Sequence, residues 1–159
     1  MFLYIKNIPK LSWSSNSPSN FKPSLNTLFY LCLGLVFFGF GEGLLIISGI
    51  GASPWNVLHQ GVAINLNLSV GTIAFLVSFL VLLLWYFLDQ KIGIGTIINF
   101  IIIAIMIDVT IYYFNKPNEL FSQILMVFVG IILVGFGTAM YLIANLGAGP
   151  RDGLMTGLQ

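Results

Sequence analysis

The stretch GFGEGLLIISGIGASPWNVLHQGV at Gly39–Val62 recurs in altered form as GFGTAMYLIANLGAGPRDGLMTGL at Gly135–Leu158. At a constant offset of 96 positions, the two stretches share 9 identities in 24 positions without a gap. Each copy joins an apolar segment to the Gly/Pro break that ends it. Duplicated, interrupted hydrophobic segments are typical of membrane transporters built from internal repeats.

The amino-acid composition indicates that the chain lies in a lipid bilayer. Of the 159 residues, 58% are hydrophobic and only 7% are charged, and the mean hydropathy is +0.99. A water-soluble domain of this size cannot bury so much apolar surface, so we expect an integral membrane protein that contacts the lipid bilayer. The formal net charge of +1, without a basic tract, excludes nucleic acid as an expected partner.

Four apolar segments reach the length of about 20 residues that a membrane-spanning helix needs. Backbone amides must bond within the chain in hydrocarbon, so these segments are predicted to be helices. The fold class is therefore all-α integral membrane, with four transmembrane helices and short half-helices after the Gly/Pro breaks. The predicted spans are Thr27–Ser48, Val70–Leu88, Gly95–Phe114 and Leu120–Ala144.

The segment from Gly49 to Leu68 contains too many polar residues for a lipid-exposed span. Ser53 followed by Pro54 predicts a helix start, with serine as the cap and proline at the first helical position. We expect a half-helix or interfacial helix that ends at about Gly61. Ser69 is the predicted cap of the next helix, and Asp89-Gln90-Lys91 its end.

The distribution of positive charge predicts the topology. If the short helix does not cross, five of the six Lys and Arg residues lie on the side of the amino terminus, and only Lys116 lies opposite. The positive-inside rule then places the amino terminus in the cytoplasm. Three spans separate the two motif copies, an odd number, which predicts an inverted-topology repeat.

The same logic divides the chain into three parts. Residues 1–25 form a polar leader, predicted to be cytoplasmic and to be either poorly ordered or lying at the surface. Residues 26–115 form a first three-helix repeat, and residues 119–159 begin a second repeat. The counterparts of Val70–Phe114 do not follow that beginning, so we expect a truncated inverted-repeat bundle, either a fragment or a chain completed by another subunit.

The motifs resemble a known group. GIGASPWNVLHQGV, LSVGT and GIGTIINF, with the later Asp108 and GAGPRDGL, are similar to the YczE-like branch of the YczE/YyaS/YitT group of predicted bacterial membrane proteins. The resemblance implies a multi-pass protein of the bacterial inner (cell) membrane with uncharacterised function. It also implies further spans after the second motif. The chain departs from the pattern at Asn56, where the group tends to have Asp.

Two acidic residues lie within predicted spans. Asp108 sits mid-span, where a carboxylate is costly and usually faces a bundle interior or a water-filled path, so it either serves a proton-linked role or locks helices together. Glu42 lies near the end of the first span, and its counterpart in the second copy is Thr138. Its alternatives are a gate or cation ligand and a carboxylate that reaches the interface, and the interfacial role is favoured.

The two Gly/Pro breaks each expose helix-start amides and the positive end of a helix dipole. They could hold an anionic substrate group, with unequal chemistry at the two ends. The alternative is a plain surface turn with an Arg-Asp pair and an interfacial tryptophan. The residues concerned are Ser53, Trp55, Asn56, Arg151 and Asp152.

Two further features have conservative explanations. Gly39 and Gly43 form a GxxxG pattern, which predicts close helix packing; if both repeats use that face, their first helices cross each other. His59 is the single histidine and supports neither a metal site nor a catalytic triad, so we expect an interfacial hydrogen-bonding role.

No Walker loop, GxSxG, HExxH or CxxC motif is present in the sequence, so neither an enzyme nor a cofactor or metal is predicted. Two functions from different classes remain. The first is a permease-like transporter that moves a small solute or ion along a path near Asp108, Glu42 and the breaks. The second is a non-transporting accessory or scaffold protein whose Gly-rich helix faces bind a second copy or a partner membrane protein.

Overall fold

The computed structural model describes residues 10–88, 90 and 92–158. Within these residues all regular secondary structure is helical, which confirms the all-α class. The six helices are α1 Leu25–Ser48, α2 Pro54–Leu66, α3 Val70–Trp85, α4 Ile94–Tyr113, α5 Leu120–Ala144 and α6 Pro150–Gly157.

Three helices, α1, α4 and α5, are long and apolar enough to cross a membrane. The remaining predicted span, Val70–Leu88, is shorter than expected: α3 has 16 residues and ends at Trp85. Helices α2 and α3 are long and apolar enough to cross a membrane only when they are taken together. The chain bends by 113° at the break between them. The predicted helix end at Asp89 and Lys91 lies outside the described residues.

The helix starts follow local capping chemistry. Ser69 Oγ accepts a hydrogen bond from the backbone N–H of Thr72 and Ser53 Oγ from that of Asn56, as their positions predicted. The prediction that α2 ends at Gly61 is wrong. The helix continues to Leu66 and ends where Asn67 takes a left-handed conformation, with φ of 53°.

Helices α1 and α5 cross in antiparallel orientation through two glycine pairs. Gly34 packs against Gly137, and Gly41 packs against Gly130, each glycine lying against the carbonyl oxygen of its partner. Under the 96-residue offset, Gly34 corresponds to Gly130 and Gly41 to Gly137. Replacing each glycine of one pair by its counterpart in the repeat therefore gives the other pair.

The GxxxG glycines of α1 use a different face from the one that crosses α5. A Cβ placed on Gly39 would lie 2.6 Å from Met106 Cβ, and one on Gly43 would lie 2.5 Å from Thr110 Cβ. Both contacts are with α4, which runs parallel to α1. The expectation that Gly39 and Gly43 make the crossing between the first helices of the two repeats is therefore wrong.

The chain before α1 is held against the bundle. Ser15 donates its backbone N–H to the carbonyl oxygen of Ala144 at 3.0 Å, and Asn145 Nδ2 donates to the carbonyl oxygen of Ser15 at 2.8 Å. Thr27 Oγ1 donates to the carbonyl oxygen of Trp13 at 2.6 Å. The prediction of a surface-lying leader is wrong for Ser15, which is buried. Residues 1–9 of that leader lie outside the described part.

The core is apolar and lies between α1, α3, α4 and α5. It is closed at one end by Leu146, whose carbonyl oxygen accepts the backbone N–H of Gly95 at 2.8 Å. Large apolar side chains also cover the outside of the helices, as lipid contact requires. The buried cluster comprises Leu31, Leu35, Ala74, Ile103, Ile107, Tyr141, Ala144 and Leu146.

Candidate functional site

The two Gly/Pro breaks meet at the carboxylate of Glu42. From the first break, Ser53 Oγ donates to Oε2 at 3.3 Å, and Asn56 Nδ2 donates to the same oxygen. From the second break, Arg151 Nη1 lies 3.5 Å from Oε1. The tertiary structure therefore unites residues of both motif copies around one acid.

The sequence favoured a Glu42 carboxylate that reaches the membrane interface. The structure contradicts this expectation. The residue exposure of Glu42 is 3%, since the chain folds back after α1 and sets the start of α2 against that helix. The Asn56 amide, which also lies 3.4 Å from the Glu42 carbonyl oxygen, secures this return. A buried carboxylate of this kind is costly unless it is paired and hydrogen-bonded, and Glu42 is both.

Arg151 lies between the carboxylate and an aromatic ring. Its guanidinium carbon is 5.3 Å from the centre of the Phe38 ring, which is a cation–π distance. Its side chain is 17% exposed, so it is only partly removed from solvent or lipid. The contact with Glu42 uses one nitrogen, which leaves other donors of the guanidinium free of that carboxylate.

The second break is not the plain turn with an Arg-Asp pair that was the conservative alternative. Asp152 accepts a hydrogen bond from Tyr141 Oη of α5, while Arg151 pairs with Glu42. The start of α6 is also tied to α3, because Trp85 Nε1 donates to the carbonyl oxygen of Pro150 at 3.1 Å. These contacts direct the first turn of α6 toward the bundle interior.

A cavity of about 370 Å³ lies next to this cluster. Trp55, Arg151 and Asp152 line it, so three of the seven predicted site residues share one space. The volume is in the range of small-molecule sites, which are mostly apolar with a few fixed polar groups. The remaining lining residues are Phe38, Asn99, Ile103, Tyr141, Gly149, Leu154, Met155 and Leu158.

Sequence reasoning missed Asn99 and Tyr141. Asn99 is a polar residue within an apolar helix, and that contrast is a usable signal. In the structure Asn99 lies beside the second break, since a Cβ on Gly149 would be 3.0 Å from Asn99 Nδ2. Tyr141 is one aromatic residue among many, and no local signal sets it apart.

Asp108 lies away from this cavity. Its carboxylate accepts hydrogen bonds from Ser69 Oγ at 2.6 Å and from the backbone N–H of Gly71 at 2.7 Å. It thus satisfies the amide groups at the start of α3 and binds α4 to that helix. The structure separates Asp108 from the six other predicted site residues, which gather around Glu42 and the two breaks.

Two buried side chains of α2 retain unused hydrogen-bonding atoms. Asn56 Oδ1 and both ring nitrogens of His59 have no partner within the described residues. His59 is 2% exposed, so the interfacial role expected from the sequence is wrong. Its ring lies 6.3 Å from that of Trp55, which borders the cavity. Buried polar atoms without partners are rare, and an ordered water or a bound group is a usual explanation.

The sequence matches, over residues 25–159, a protein family described as a family of unknown function (DUF6198). The chain belongs to this family. An uncharacterized protein of Haemophilus influenzae is 42% identical over 154 residues, which are 97% of this chain and 70% of the relative.

Two further relatives come from Bacillus subtilis. The uncharacterized membrane protein YczE is 31% identical over 82% of this chain and 61% of its own length. The uncharacterized protein YyaS is 32% identical over 79% of this chain and 64% of its own length. The chain therefore spans less than two thirds of these two relatives. These matches confirm the YczE-like resemblance and, with the apolar helices, a membrane location. No solved structure matches the chain.

Proposed function

We propose that this protein is a permease-like transporter of the bacterial inner membrane, with its amino terminus in the cytoplasm. One observation supports the proposal most: the starts of both half-helices, α2 and α6, converge on one buried ion pair beside a cavity. Transporters with broken helices place their solute sites where such helix ends meet. The route we propose passes Trp55, Arg151 and Asp152, with Glu42 behind them.

The architecture that we infer is an inverted repeat. The antiparallel crossing of α1 and α5, with glycine pairs that exchange under the 96-residue offset, supports a pseudo-two-fold relation between the copies. The directions of α3 and α4 support it too, because Gly71 packs near Asp108 and Phe75 near Phe100, so that α3 runs opposite to α4. Successive spans then alternate in direction, and the two breaks enter from opposite ends.

Asp108 has no place in this route. Its carboxylate is occupied by Ser69 and by the start of α3, so we assign it the alternative role of joining two helices. This assignment separates two predictions that sequence alone could not separate. Neutralising Glu42 or Arg151 should stop transport, whereas neutralising Asp108 should affect chiefly the stability of the protein.

The test is charge movement in proteoliposomes on a solid-supported membrane, with a panel of small amines, amino acids, carboxylates, sugars and Na⁺. We expect a solute-dependent signal that Arg151→Gln and Glu42→Gln reduce at least about tenfold. Gly61→Ala is a matched control in α2, because no atom of the described part of the chain lies within 4 Å of a Cβ at that position. No signal from any solute, in this chain and in its Haemophilus influenzae relative, would contradict transport.

The face of α5 that carries Gly135 favours a second function, that of an accessory protein that binds a partner helix. The counterpart glycine, Gly39, packs tightly on α4, whereas no described residue lies within 4 Å of a Cβ at Gly135. Neighbouring Phe136 and Ala139 are also exposed. A helix could pack there as α4 packs on α1, contributed by another copy or another protein. Crosslinking from a cysteine at Gly135 distinguishes this function, since it would capture a partner without any solute.

A further inference from the structure

We propose that the cavity beside Glu42 and Arg151 binds a protonated amine, attached to a small apolar body. This inference rests on the proposed transport function and names its substrate class. It replaces the anionic group that the helix starts suggested from the sequence.

Both half-helix starts already hold a carboxylate of the protein itself. At α2, Glu42 accepts hydrogen bonds from Ser53 and Asn56, the cap and the third residue after it. At α6, Asp152 lies in the first turn. The favourable interaction between a helix amino terminus and an anion is therefore made internally at each end. An anionic solute would compete with a fixed carboxylate at both places.

The charge of the cluster is unbalanced. Glu42 and Asp152 contribute two negative charges when ionised, and Arg151 contributes one positive charge. Asp152 is bonded to the neutral Tyr141 hydroxyl, so no cation within the described residues forms a salt bridge with it. An unpaired charge in an apolar bundle is costly, and a cationic ligand would balance it.

The carboxylate that lines the cavity suits a ligand that donates hydrogen bonds. Asp152 accepts a hydrogen bond from Tyr141 Oη, and an ionised carboxylate has two oxygens that can only accept, so it can receive further donors. A primary ammonium has three N–H donors, whereas a quaternary ammonium has none.

The cavity walls suit the rest of such a molecule. Phe38, Trp55 and Tyr141 contribute aromatic rings, and Ile103, Leu154 and Met155 contribute apolar surface. Aromatic faces attract cations, as the position of Arg151 over Phe38 already shows. A volume of about 370 Å³ admits an amine with a single ring.

The experiment is isothermal titration calorimetry on the purified chain in a non-ionic maltoside detergent. The probes are 2-phenylethylammonium, its N-trimethylated analogue and 3-phenylpropionate, which share a phenyl group and differ in the head group. We expect the primary ammonium to bind at least about tenfold more tightly than either of the others. Asp152→Asn should weaken its binding about tenfold, while Glu119→Gln, which neutralises an exposed carboxylate of the α5 start, should leave it unchanged.

The outcomes separate this inference from the proposed function. Tighter binding of 3-phenylpropionate, or primary ammonium binding that Asp152→Asn does not weaken, overturns the amine assignment even if another solute is transported. Equal binding of the trimethylated analogue would show that the N–H donors of the ammonium make no selective hydrogen bond in the cavity, and it overturns the assignment to a protonated amine. Selective ammonium binding without charge movement in proteoliposomes supports the amine site and contradicts transport.

Discussion

Arg151 Nη1 lies 3.5 Å from Glu42 Oε1, and this pair joins the second Gly/Pro break to the helix that precedes the first. The two residues are 109 positions apart in the chain. Because Glu42 also accepts side-chain hydrogen bonds from Ser53 and Asn56, the pair links both half-helices to α1. The Glu42 carboxylate therefore contacts residues of both motif copies and holds them together.

Replacement of Arg151 should destabilise the fold more than replacement of the pair. Arg151→Gln leaves Glu42 buried without its cation, and the loss of one partner of a buried ion pair costs about 3 kcal/mol. In Glu42→Gln/Arg151→Gln neither side chain of the pair is charged, so a large part of that loss should be recovered. Denaturant unfolding in detergent of both single variants and the double variant measures the coupling. Additive effects of the two substitutions would show that the pair does not form.

Two glycines that correspond in the repeat should respond oppositely to alanine. Gly39→Ala places a Cβ 2.6 Å from Met106 Cβ and 3.1 Å from the Ile103 backbone, so α1 and α4 must separate, at a cost of about 1–3 kcal/mol. Gly135→Ala meets open space and gains up to about 1 kcal/mol of helix propensity. Thermal unfolding of the two variants checks the signs. Stabilisation by Gly39→Ala would contradict the α1–α4 packing.

Asp108 should matter for stability rather than for transport. Asp108→Ala removes the acceptor for Ser69 Oγ and the Gly71 amide, and we expect a loss of about 1–2 kcal/mol. Asp108→Asn keeps one accepting oxygen and should cost less. Unfolding curves and charge-movement assays of both variants test the assignment. Abolished flux in a stably folded Asp108→Asn protein would return Asp108 to the solute path.

The topology predicts which loops share a side of the membrane. The α4–α5 loop contacts the first break, because Lys116 Nζ would lie 2.7 Å from a Cβ on Gly49. Cysteines at Gly51 and Asn118, both exposed, should therefore label from one side, and a cysteine at Lys22 from the other. A Cys32→Ala background removes the native thiol. Labelling of all three from the same side would exclude the alternating arrangement of spans.

Local chemistry is what the sequence predicted well. The spans at α1, α4 and α5, the caps at Ser53 and Ser69, and the membrane class depend on hydropathy and on hydrogen bonds between residues a few positions apart. A backbone in hydrocarbon has no other donors or acceptors, so these features follow from short stretches of chain. The duplication is also visible from sequence alone, because it is found by aligning the two stretches residue by residue.

The tertiary structure alone decided the site. Glu42 and His59 were expected at an interface, and both are buried. Glu42 is buried because the chain folds back after α1 and sets Ser53 and Asn56 against it. The glycine face that crosses α5 also depends on helix rotation, which a GxxxG pattern does not specify. Helix propensity and hydropathy act over a few residues, whereas the meeting of Glu42 with Arg151 depends on how six helices pack together.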